Sequence, residues 1–146
     1  MSEDRIEREI SIKAPVGRVW AVLTEPEHVG QWFGQGEPTA VDLRPGGEIF
    51  LDHGEYGQFR AVVVAAEPER YLSYRWASAF PGELATEDNA TLVEFTLRPD
   101  GDGTLLTLVE SGFARLNVPA GSNASHASHS DGWGHVLGKL VELAQA

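Results

Sequence analysis

The chain has no cysteine, which excludes disulfides, thiolate nucleophiles and cysteine-ligated zinc. Basic side chains are scarce, 11 lysines and arginines against 22 acids, for a formal charge of −11. Such a chain repels phosphate backbones, and no local basic cluster offsets the repulsion, so neither nucleic acid nor an anionic membrane surface is an expected partner. The acids read as a solubilising exterior. The opening MSEDRIEREI has neither a basic n-region nor an apolar h-region, and no apolar run reaches the length of a bilayer span. A cytoplasmic protein without membrane insertion is therefore expected. HExxH and GxSxG are both missing, and the glycine pairs sit in turns rather than between a strand and a helix. Zincin chemistry, serine hydrolysis and nucleotide binding fall away with them, and no cofactor is expected.

What remains is patterned hydrophobicity. At 146 residues the chain is expected to form a single domain, residues 1–146, burying about 70% of its unfolded surface. Ile6, Ile10 and Ile12 share one parity, as in a half-buried strand. In APVGRVWAVLT, Pro15 suits a first helical turn, and Val16, Val19, Trp20 and Leu23 fall on one helical face. A second short helix is expected in PEHVGQWF. Turn signals then recur. Two strands are expected about Pro45-Gly46-Gly47, two longer ones about EPER, and a hairpin about PDGDG. PAGSNASHASHS reads as a loop entering a helix, with Asn123 or Ser125 as its cap. Strands grouped together between helices imply an α+β layer, one antiparallel sheet covered on one face.

The last helix has a broad apolar face. At about 100° per residue, Trp133, Val136, Leu137, Leu140, Val141, Leu143 and Ala144 fall within an arc of roughly 160°. Gly134 and Gly138 lie near its boundary and imply either a close backbone contact or space. If the helix extends back through SHASH, His126 and His129 come round to the same side. Strand parity supplies the opposing surface: Leu72, Tyr74 and Trp76; Val93, Phe95 and Leu97; Leu106, Leu108 and Glu110. Aromatic rings with a few polar groups between them have the makings of a small-molecule site.

Taken in order, IEREISIKAPVGRVWAVLTEPEHVGQWF, ERYLSYRW, TLVESGF and HSDGWGHVLGKLVEL resemble the START-like (SRPBCC) superfamily, specifically its branch related to the activator of Hsp90 ATPase. The resemblance runs from about residue 5 to residue 144. It implies a helix-grip fold, a curved antiparallel sheet wrapped around a long C-terminal helix, with two short helices after the first strand and a deep cavity beneath. It also implies cavity positions at Trp76, Phe95, Glu110, His129, Trp133 and Leu137, with Trp32 and Phe33 at the entrance; parity adds Tyr74. Members of the superfamily hold apolar small molecules, catalyse aromatisation or cyclisation, or assist chaperones.

Three functions follow as expectations. The first is binding of a small hydrophobic molecule, aromatic or lipid-like. An empty hollow of ~300 Å³ forgoes about 7 kcal/mol of packing at ~24 cal/mol per Å³, a cost that favours a ligand over a void. The second is an aromatase/cyclase-type or other proton-transfer enzyme, with Glu110 beside His129 as the catalytic pair. The third is a chaperone-associated module. Metal binding through His126 and His129, completed by His28, His53 or Glu110, lacks any recognisable motif. Phe33, Phe80 and Phe113 in loop-like segments suit either a mouth or a homodimer contact.

Overall fold

The computed structural model describes residues 5–25, 28, 41–52, 58–76, 90–112 and 126–145, with the backbone alone at 50–52, 58–60, 126–132 and 135. β1 (Arg5–Ile12) leads into α1 (Val16–Thr24), followed by β2 (Glu48–Asp52), β3 (Gln58–Glu67), β4 (Tyr71–Trp76), β5 (Thr91–Asp100), β6 (Gly103–Ser111) and α2 (His126–Gln145). The six strands form one antiparallel sheet in the order β1-β6-β5-β4-β3-β2. This curved sheet with its short N-terminal and long C-terminal helices is the helix-grip α+β arrangement. The second short helix falls outside the described residues apart from His28. Among the described residues, no helix is long and apolar enough to cross a membrane.

Period-two patterning sets the sheet faces as expected. Ile6 and Ile12 are buried and Ile10 half-buried, while β5 and β6 alternate strictly along their inner positions. The β5–β6 hairpin turns on Gly101-Asp102, where Gly101 has φ +60°, a conformation that costs glycine little. The EPER turn closes with Arg70 N–H donating to Glu67 O at 3.0 Å. β3 carries a bulge between Val63 and Ala65, leaving Val64 turned outward.

The strand expected before Pro45-Gly46-Gly47 is reduced to one bridge, Val41 to Ile49. The cause is local. Gly46 N–H donates to Val63 O and Val63 N–H to Gly47 O, both at 2.8 Å, so the glycines extend the β2–β3 pairing instead of forming a symmetrical hairpin turn. Arg44 folds back on Asp42 through two hydrogen bonds of 2.8 and 2.7 Å, and this contact holds the Asp42 carboxyl below its usual range. A Cβ on Gly47 would lie 2.3 Å from Asp42 O, so the turn closes only around glycine.

In α1, Pro15 stands at the N-cap, and its carbonyl accepts from Arg18 and Val19 at 3.0 and 3.1 Å. Val19, Leu23 and also Val22 are buried, whereas Val16 and Trp20 are only half-buried. The close backbone approaches of α2 gather on α1 and β1. Two hydrogen bonds fix that end of the helix: Arg18 Nη2 donates to Leu143 O at 2.7 Å, and Lys13 N–H donates to Gln145 Oε1 at 2.8 Å.

The wholly buried stripe of α2 is narrower than its apolar arc. Trp133, Leu137, Leu140 and Ala144 are buried; Val136, Val141 and Leu143 are half-buried. Gly134 and Gly138 are exposed, and a Cβ on either meets nothing within 4 Å. They therefore neither permit a close contact nor open room beneath the helix. Each lowers helix stability by about 1 kcal/mol relative to alanine. Gly138→Ala is expected to raise the unfolding free energy by roughly that amount in urea denaturation. Destabilisation by alanine would show that the position is crowded.

Candidate functional site

β4, β5 and β6 bring one row of side chains across the sheet. Cα pairing aligns Val63 with Tyr74, Tyr74 with Val93, Val93 with Glu110, and Glu110 with Ile6. The next row on the same face pairs Leu72 with Phe95 and Phe95 with Leu108. Single-residue alternation places all of them toward α2, because adjacent hairpins keep their register from β4 to β6. α2 lowers Trp133 onto this surface.

Four aromatic rings meet there. Trp133 stands edge-on to Phe95, with centroids 5.9 Å apart at 80°, and edge-on to Trp76 at 6.4 Å and 74°. Tyr74 lies 6.3 Å from Phe95 at 36°. Such edge-on pairs add about 0.5–1.5 kcal/mol each beyond the area they bury. Leu137, one turn along from Trp133, is buried in the same core.

Glu110 is the polar centre of this region and is fully buried. Its Oε1 accepts from Trp133 Nε1 at 2.6 Å and its Oε2 from the Thr91 hydroxyl at 2.5 Å. A buried carboxylate is tolerated only when such donors replace its water. The Trp133 contact also couples helix to sheet, since it joins α2 to β6 through a charge-assisted bond. Beside it, burial first and the Glu110 charge second push the Tyr74 phenol well above its ordinary range. Tyr74 thus keeps its proton throughout the neutral range and acts as a hydroxyl.

The structure brings together Tyr74, Trp76, Phe95, Glu110, Trp133 and Leu137 in one core. Trp32 and Phe33 lie outside the described residues, as do Phe80, Phe113, His53 and the cap candidates Asn123 and Ser125. His126 and His129 fall in the first turn of α2, where only the backbone is described. Among the described residues, no group of three or more histidines, aspartates and glutamates is placed to hold a metal. Thr91 escaped the sequence reading, although it continues the parity of Val93, Phe95 and Leu97 by one step toward the N-terminus. Extending that parity was the available signal.

The family model described as activator of Hsp90 ATPase homolog 1-like protein matches residues 13–145. No curated protein matches the chain. Solved structures do. Protein MLL2253 from Mesorhizobium loti is 26% identical over 95% of each chain, with a TM-score of 0.75. DynU16, from the dynemicin biosynthetic locus, is 27% identical with a TM-score of 0.73; the match covers 97% of this chain but 47% of DynU16. The Aha1 dimer from Colwellia psychrerythraea is similar in fold, at 18% identity, 97% and 96% coverage and a TM-score of 0.74.

Proposed function

We propose that this chain, which belongs to the family of activator of Hsp90 ATPase homolog 1-like proteins, binds a small apolar molecule, aromatic or lipid-like, between its sheet and its C-terminal helix. The observation that carries this reading is the composition of the interior under α2. Tyr74, Trp76, Phe95 and Trp133 form a chain of ring contacts, and the Trp133 indole donates to the buried Glu110 carboxylate. Apolar walls with a few oriented polar groups are the usual make-up of a small-molecule site. The placement of α2 supports the same reading. Its backbone is held close to α1 and β1, whereas the middle strands are reached through large side chains. Trp76, Phe95, Glu110, Trp133 and Leu137, with Tyr74, are the proposed ligand contacts, and Trp32 and Phe33 the proposed entrance.

Binding alone is favoured over proton-transfer catalysis by the hydrogen bonds of Glu110. Both of its oxygens already accept from protein donors, as suits a carboxylate that fixes Trp133 and Thr91 in place. The test is thermal unfolding in the presence of a panel of hydrophobic compounds. A true ligand is expected to raise the midpoint saturably, with about 2.7 kcal/mol of stabilisation at 100 times its dissociation constant. A panel of aromatic and lipid-like compounds that leaves the midpoint unmoved would contradict the reading.

A further inference from the structure

Tyr74 is only 2% exposed, and its hydroxyl has no hydrogen-bond partner among the described residues. Leaving a buried hydroxyl unanswered costs about 1–3 kcal/mol, a cost that phenylalanine in the same place would escape. The residue stands in the inner row, with Val93 between it and Glu110, and its ring packs on Phe95. Phe95 in turn packs on Trp133. The orphaned donor therefore belongs to the aromatic surface already assigned to a ligand.

We propose that the ligand of this interior is a neutral apolar molecule bearing a carbonyl-type oxygen, which accepts a hydrogen bond from the Tyr74 hydroxyl. The inference rests on the apolar-ligand reading and narrows it. Two features select the class. The phenol keeps its proton, because burial and then the Glu110 charge hold it well above its ordinary range, so Tyr74 presents an O–H to whatever lies beside it. The same negative charge acts at the phenol, so a ligand carboxylate there would sit against a like charge in a weakly screened interior. A ligand ammonium would be drawn toward Glu110, whose oxygens already accept from Thr91 and Trp133, and would still leave the Tyr74 donor unanswered.

Four matched probes separate these cases: naphthalene, 1-tetralone, 1-naphthoate and 1-naphthylmethylammonium, each titrated calorimetrically into the full chain and into Tyr74→Phe. The unaltered protein is expected to bind 1-tetralone about tenfold more tightly than naphthalene, and 1-naphthoate more weakly than 1-tetralone. In Tyr74→Phe the ketone's advantage over naphthalene is expected to vanish. Equal affinities for naphthalene and 1-tetralone in the unaltered protein would overturn the carbonyl class and leave the apolar site standing. A ketone preference that survives in Tyr74→Phe would overturn Tyr74 as the donor, and tighter binding of the ammonium would overturn the neutral class. Failure of all four probes would remove the site and the inference with it. The ratio measured on the unaltered protein decides the carbonyl class even where the variant does not fold.

Discussion

Trp133→Ala is expected to lower the unfolding free energy by about 3–5 kcal/mol, read as a fall in the urea midpoint at unchanged slope. The indole is 2% exposed, touches both Phe95 and Trp76 edge-on, and supplies a donor to Glu110. Alanine removes all three contributions at once, and the relaxation of two strands and a helix fills the gap only in part. Trp133→Phe separates them. It keeps most of the packing and loses the N–H, so it is expected to cost about 1–3 kcal/mol, the usual result of leaving a buried acceptor with one donor fewer. A Trp133→Ala loss below about 1 kcal/mol would mean that the helix does not depend on this ring.

Glu110→Leu is expected to cost about 2–4 kcal/mol, and Glu110→Gln no more than about 1 kcal/mol. Leucine fills much of the volume and removes the need to bury a carboxylate, an exchange that by itself is often neutral or favourable. Here it also strips the acceptor from Trp133 Nε1 and from the Thr91 hydroxyl, both of which now point at Oε1 and Oε2. Glutamine keeps an oxygen for the indole, and the Thr91 hydroxyl can rotate to accept from the new amide. Adding Thr91→Val to Glu110→Leu removes one of the two stranded donors and is expected to recover part of the loss. Urea unfolding of the three variants measures this order. Equal stability of the leucine variant and the unaltered protein would show that the carboxylate is not what holds these donors.

These expectations depend on features that differ in how plainly the sequence announces them. The inner faces of β4, β5 and β6 are legible because β5 and β6 alternate between inner and outer positions, β4 pairs with β5 without a register shift, and their turns have clear residues, Glu67–Arg70 and Gly101-Asp102. Tyr74, Phe95 and Glu110 follow from parity alone. The long helix is legible from its spacing over residues 133–144, whereas its extension back to His126 stays conditional in the sequence. Elsewhere a nonlocal contact decides. Whether Val41 begins a strand depends on the pairing of Gly46 and Gly47 with Val63, which no local pattern around Pro45 reveals. The bulge at Val63/Ala65 sits in an apolar run, where one valine looks like the next. The two helix glycines suggested room for a guest because their place near the edge of the arc did not say which side they faced; they face outward. The Thr91–Glu110 hydrogen bond joins two residues 19 apart in sequence and needed the β5–β6 register to be seen.

The central claim is that a small apolar guest sits between the inner face of the sheet and α2. Isotope-filtered NMR on the uniformly carbon-labelled protein, saturated with unlabelled naphthalene, tests it directly. Nuclear Overhauser contacts are expected from the probe to the rings of Phe95 and Trp133 and to the methyl groups of Leu137. Contacts confined to outward-facing positions such as Val64, or none at saturation, would contradict the account.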